Sequence, residues 1–343
     1  MAKPNTSAAR AVVQAAGRAD RTALAALHAQ GADLNAVWRG YRALHALIQE
    51  DPHAEGASAP EERLPCLVWL LEHGADPELP GAWPPSRALL VAAFSGETRY
   101  VEALRDHGAR SDFFTRCALG ELAAVRKELA RSKELARARD GGTLTALQCV
   151  CASRMGRKDE NLAQRLLEIA ALLLDAGAQP GALTKSWSHE VDAAYFACNS
   201  GQKEMLELLL ERGADATAAL PSAAWRKTLE LAELCLAHGA KIDEARAEGR
   251  ALLNELVRWG QVTPVLWLLE KRANPNLPDE RGWTAVHQAA SRGNERMMRA
   301  ILAAGGDLGV KDKQGLTPLS VALLARKPKM LELLGTGGPT HLG

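Results

Sequence analysis

Residues 279–293 read Asp279-Glu280-Arg281-Gly282-Trp283-Thr284-Ala285-Val286-His287-Gln288-Ala289-Ala290-Ser291-Arg292-Gly293. An apolar-rich run through Met297, Met298, Ile301 and Leu302 follows, then Gly305-Gly306-Asp307. The pattern starts again at Asp312, Gly315, Thr317 and Leu319, each 33 residues after its counterpart. A self-similar period of this length marks an architecture built from stacked supersecondary units. Each residue class has a mechanical reason. Gly282 suits a tight turn with positive φ. Thr284 is placed to accept an orphan N–H at the start of a helix. Ala285, Ala289 and Ala290 keep that first helix slim, and Gly293 ends it. Met297, Met298, Ile301 and Leu302 form one apolar face of a second helix. One such unit cannot bury that face alone, so stacking has to supply the core.

Working outward, a Gly-Ala-Asp-like signal recurs at Gly31, Gly74, Gly108, Gly177, Gly213 and Gly239, then Arg272-Ala273-Asn274 and Gly305. Each marks the end of a second helix, and the count is about ten units. The series Gly282-x-Thr284-x-Val286-His287-x-Ala289-Ala290-x-x-Gly293, with Gly305-Gly306-Asp307, resembles the ankyrin repeat. The resemblance implies an all-α solenoid of antiparallel helix pairs with β-hairpin-like loops along one edge. It also implies non-catalytic binding of a partner protein or peptide on the concave, hairpin-bearing edge. Residues 1–343 are expected to form a single solenoid, with 1–37 as the N-terminal capping unit and 312–343 as the C-terminal capping unit and tail.

Several units depart from the pattern. Arg42 replaces the capping Thr ahead of His45, and Asn254 takes the His position. Residues 51–62 and 154–160 are expected to be exposed loop insertions, with Pro65 starting a second helix. In the sixth unit Asp192 falls at the capping position and Tyr195 at the His position. Only 26 residues separate Gly213 from Gly239, so the first helix of the seventh unit, 221–227, is expected to be clipped.

Composition narrows the function classes. A net charge of +1 leaves no electrostatic footprint for nucleic acid. No apolar run is long enough to span a bilayer, and no hydrophobic signal core opens the chain. Six scattered cysteines fit reduced thiols in a cytoplasmic protein. Richness in Ala, Arg, Leu and Gly suggests a bacterial gene, and the protein is expected to be a monomer. No phosphate-cradling Gly-rich loop or nucleophile elbow is present. Cys149-x-Cys151 lacks a second ligand pair, so neither metal nor cofactor is expected.

The resemblance carries partner contacts onto hairpin tips and first-helix exits. Tips fall at Trp38, Arg39 and Tyr41, at His189 and Val191, and at Arg281 and Trp283. Loop tryptophans stand at Trp83 and Trp187. Exits fall at Phe94, Trp225, Arg226, Arg258, Trp259, Ser291 and Arg292. Six of the eight tryptophans lie at such positions, and Trp, Tyr and Arg are the residue types that dominate binding hot spots. An alternative is an enzyme or small-molecule pocket in units six to eight around His189, Asp192 and Tyr195, where a His near carboxylates suits acid–base chemistry. The blander account makes Asp192 a helix cap.

Overall fold

The computed structural model describes residues 6–49, 60–81, 86–186, 189–245 and 249–335. Trp83, Trp187 and the tail beyond residue 335 lie outside the described residues. The chain divides into two compact units, 1–214 and 215–343.

The first unit holds six helix pairs among the described residues: α1 (Thr6–Gly17) with α2 (Arg21–Ala29), α3 (Ala43–Gln49) with α4 (Pro60–Glu72), α5 (Ala88–Ser95) with α6 (Thr98–Asp106), α7 (Phe113–Ala118) with α8 (Leu122–Arg131), α9 (Ala146–Ala152) with α10 (Glu160–Asp175), and α11 (Ala193–Ser200) with α12 (Lys203–Glu211). First helices stack on first helices, in the order α1, α3, α5, α7, α9, α11. The second unit holds four pairs: α13 (Ala216–Trp225) with α14 (Leu229–Ala237), α15 (Leu252–Trp259) with α16 (Val262–Glu270), α17 (Ala285–Arg292) with α18 (Glu295–Ala303), and α19 (Pro318–Leu324) with α20 (Pro328–Gly335). There α15, α17 and α19 stack, as do α16, α18 and α20. The expected all-α architecture of about ten helix pairs is therefore present.

Capping residues start the helices where the sequence places them. Thr145 and Gln148 form a reciprocal capping box on α9, and Asp192 accepts the Tyr195 amide at the start of α11. The apolar faces close the stack: Met297, Met298 and Ile301 of α18 are fully buried, each contributing roughly 1.5–3 kcal/mol. Hairpins link the pairs. Strand β1 (Thr184–Ser186) pairs antiparallel with β2 (His189–Val191), and single bridges join Trp38 to Tyr41 and Arg139 to Thr145.

In four repeats one position in the first helix ties the repeat to the next. His45 Nε2 bonds the Ser86 carbonyl at 2.8 Å, and His287 Nε2 bonds the Leu316 carbonyl at 3.1 Å. Gln148 Nε2 donates to Ala182 and Val191 carbonyls, and Asn254 Nδ2 to Leu277 and Trp283 carbonyls. Three residue types thus perform one task, because each can aim a donor at the carbonyl preceding the next repeat's first helix. Thr284 also supplies a donor to His287 Nδ1. In the second repeat Arg42 stands in that place, and His45 Nδ1 is left buried with no hydrogen-bond partner. Arg42 instead holds the Asn35 and Pro80 carbonyls.

Three expectations need correction. Pro65 lies inside α4, which starts at Pro60, so residues 60–62 are helical rather than loop; residues 51–59 lie outside the described residues. The 154–160 segment is not simply exposed. It forms a 3-10 turn over Met155–Lys158 with Met155 buried, and Arg154 donates its amide to the Ala93 carbonyl at 3.0 Å. Gly156 permits this, since a Cβ there would sit 2.7 Å from Ala163 Cα. Finally, the helix of the short seventh repeat is not clipped. Helix α13 has ten residues and begins directly after Asp215, so the repeat has given up its hairpin instead.

The reason is local. Asp215 ends one repeat's loop and caps the next helix, accepting the Thr217 amide at 2.8 Å. Asp215→Ala is expected to cost about 1 kcal/mol and Asp215→Asn a few tenths, at most about 0.5. Urea midpoints of the two variants measure this, and equal midpoints for Ala and Asn would remove the cap from the account.

Candidate functional site

Five sequence-predicted residues come together in the second unit. Arg258 at the end of α15, Arg281 and Trp283 on the following hairpin, and Ser291 and Arg292 at the end of α17 line one open cavity of about 670 Å³. Gln288, Gly293, Asn294 and Lys327 complete it. Four cations line this cavity and no carboxylate does.

Local chemistry positions each group. Trp283 follows the Gly282 turn, where φ is +83° and a Cβ would sit 2.9 Å from the Lys313 amide nitrogen of the next hairpin. Its indole N–H donates to Asp312 Oδ2 at 2.9 Å, while Asp312 Oδ1 accepts the Gln314 and Leu316 amides. Burial pushes the Asp312 carboxyl up, but those amides, the indole and the nearby His287 outweigh it and hold it below its usual range. The carboxylate that anchors Trp283 therefore stays ionised. The Arg281 guanidinium lies 4.6 Å from the Trp283 ring centroid and 3.6 Å from Asp279.

Gly260 and Gly293 end α15 and α17 in left-handed geometry. Their missing side chains also make room for the cations. A Cβ at 260 would collide with the Arg292 guanidinium, and one at 293 would sit 2.8 Å from Lys327 Cδ. Arg292 is held there by donating Nη1 to the Arg258 carbonyl at 2.8 Å. Among the described residues, Arg258, Arg292 and Lys327 form no ion pair. Gln288 is 4% exposed, and its Nε2 has no hydrogen-bond partner.

An aromatic edge continues from this cavity. The Arg258 guanidinium lies 5.9 Å from the Trp259 ring, and Trp259 meets Trp225 edge-on at 6.4 Å. Trp259 is 57% exposed. Arg226, next to Trp225, is exposed and ends α13.

The other predicted residues are placed elsewhere. Trp38, Arg39 and Tyr41 form a hairpin tip as expected, with the Arg39 and Arg10 guanidiniums 4.9 and 5.8 Å from the Trp38 ring. Phe94 is half-buried in α5. His189 pairs with Ser186 in the β1–β2 hairpin, but Val191 is buried and offers no tip surface. Asp192 is buried and caps α11, and Tyr195 packs edge-on against Phe196. A second cavity of about 610 Å³ in the first unit is lined by Arg157 and Gln202 among others. Two of its donor side chains are already engaged: Gln202 Nε2 bonds the Cys151 and Ser153 carbonyls, and Arg157 bonds the Ser200 carbonyl. All six cysteines are buried and none is in a disulfide, and burial pushes the Cys149 and Cys151 thiols up. Among the described residues no cluster of His, Cys, Asp or Glu is fit to hold a metal, and no helix is long and apolar enough to cross a membrane.

Sequence reasoning missed Gln288 and Lys327. The signal for Gln288 was present: with Ser291 and Arg292 it follows i, i+3, i+4 spacing on one helix face. Lys327 carried none, since its place against Gly293 depends on stacking.

Comparison with known proteins agrees with the fold. Residues 253–339 match the family model for ankyrin repeats in three copies. The mouse B-cell lymphoma 3 protein homolog is 30% identical over 181 residues, 49% of this chain and 39% of that protein. Chicken inversin is 42% identical over 67 residues, 20% of this chain and 6% of that protein. The chain thus spans less than half the length of these relatives. The crystal structure of the human ASB11 ankyrin repeat domain superposes with a TM-score of 0.51 at 24% identity, covering 67% of this chain and all of that one.

Proposed function

We propose, starting from a chain that carries ankyrin repeats on an ankyrin-repeat fold, that it works as a non-catalytic protein-interaction module. The partner protein or peptide lies along the hairpin-and-exit edge of residues 215–343. The observation that carries this reading is the convergence of Arg258, Arg281, Trp283, Ser291 and Arg292 from successive repeats on one open cavity, with exposed Trp259 beside it. Exposed Trp and Arg on a rigid stack are the residue types from which partner affinity is built. The stack itself is held by buried bonds that leave this edge free to serve recognition.

The double variant Trp259→Ala/Arg258→Ala tests it. Both side chains are exposed, so the Tm is expected to move by no more than about 2 °C, since exposed substitutions stay within roughly 0.5 kcal/mol. Capture from host lysate, read by mass spectrometry, is expected to recover a partner with the native chain and lose it with the variant. Equal capture by both chains would sink the assignment to this edge.

A further inference from the structure

We infer that the cavity of the second unit recognises an acidic segment of the partner, an extended stretch carrying Asp or Glu side chains followed by an apolar one. This rests on the interaction reading above and specifies its chemistry. Two independent observations point to an anionic ligand. The first is charge: Arg258, Arg281, Arg292 and Lys327 line the cavity, no carboxylate does, and three of the four form no ion pair among the described residues. Four cations held in one concavity repel one another, and each gains most from a ligand anion.

The second observation is Gln288. Its amide nitrogen is buried without a partner and the residue lines the same cavity. Buried polar groups in folded proteins are nearly always bonded, so an orphaned donor in a binding cavity marks where a ligand acceptor goes. A Gln amide donates without adding charge, and a carboxylate oxygen between it and the Arg guanidiniums would satisfy both. Arg is suited to this, since its planar fork bonds a carboxylate through two parallel N–H groups.

The ligand class follows from the surroundings. The whole chain has a net charge of +1, so the positive potential is local and not a track for a polynucleotide backbone. Next to the cations, the Trp259 and Trp225 edge offers exposed aromatic surface. A peptide with acidic residues in the cavity and an apolar residue against Trp259 uses both halves.

The test selects random dodecapeptides displayed on phage against the full chain, then measures synthetic copies by fluorescence anisotropy. Asp- and Glu-containing peptides are expected to be enriched. Their affinity is expected to fall about tenfold or more in Arg258→Ala/Arg292→Ala, in Gln288→Leu, and on raising salt. Gln288→Leu separates recognition from folding: no protein hydrogen bond to Nε2 is lost, so its Tm stays at or above the native value while binding falls. Enrichment of neutral or basic peptides, no enrichment at all, or affinities unchanged in Gln288→Leu overturns the proposal. Binding only when a phosphoserine replaces the Glu, or tighter binding by a single-stranded 20-mer oligonucleotide, overturns it in favour of a phosphate ligand. Acid-free peptides that still lose binding in Trp259→Ala/Arg258→Ala would leave the interaction reading standing while the acidic assignment fails.

Discussion

Replacing His287 with Ala is expected to lower the stability of the second unit by roughly 2–4 kcal/mol. The side chain is fully buried and makes bonds in two directions. Nε2 donates to the Leu316 carbonyl of the next repeat, so Nδ1 is the acceptor for the Thr284 hydroxyl and amide. Alanine removes both and leaves a cavity beside Trp283, whose ring stacks on His287 at 6.2 Å. His287→Gln is expected to recover most of the loss. The same chain shows why: Gln148 accepts the Thr145 amide through Oε1 and donates Nε2 across the repeat boundary. Urea unfolding of the three chains measures the effect. The alanine variant should also weaken ligand binding, because the cavity residues Gln288 and Ser291 sit on the same helix and Trp283 loses its support. A midpoint for His287→Ala equal to that of the native chain would show that stacking, and not this side chain, joins the last two repeats.

Acidification is expected to destabilise the first unit well above the pH at which carboxylates titrate. His45 is buried, and its pKa is lowered from 6.5 to about 4. Burial is the main cause, offset in part by the bond to the Ser86 carbonyl and reinforced by Arg42. The sign follows from linkage. The folded chain keeps His45 neutral, whereas the unfolded chain takes up a proton below about pH 6.5. The stability present above that pH is lost as pH falls from about 6.5 towards 4, by about 3 kcal/mol in all. Arg42, in the place of the capping Thr, adds to the effect of burial, and an added proton on Nδ1 finds no acceptor. His45→Gln removes the titrating group while keeping a donor for Ser86, so its urea midpoint should change less between pH 7 and 4.5. Parallel loss in both chains would locate the acid sensitivity elsewhere. Asp312 contributes in a different window. Its carboxyl is held below the usual value, so its share is present above about pH 4 and goes only as pH falls further.

Much of the architecture is legible in the residues themselves. The 33-residue offset between Asp279 and Asp312, the cap at Thr284 and the donor at His287 each depend on chemistry within a few positions of the chain. So do the departures at Asn254 and Asp192, which still place a cross-repeat donor and a helix cap where the pattern requires them. Most helix starts and ends and the repeat count follow, with the starts of α4 and α13 the exceptions, because φ preferences and capping bonds are local.

Other features belong to the tertiary structure. The 26-residue interval before Gly239 has two solutions, a shorter helix or a lost hairpin, and the outcome turns on Asp215 serving both the loop and the cap. The basic 154–160 segment turns Met155 inward because Gly156 lets it approach Ala163. Tryptophans and arginines stand at many tips and exits, but only stacking decides that Arg258, Arg281 and Arg292 share one cavity while Trp38 lies between Arg10 and Arg39. Whether a buried donor such as Gln288 Nε2 keeps a partner is decided the same way. A cap needs only its own turn, whereas a cavity needs residues a full repeat apart, and their distance is set by how the helices pack.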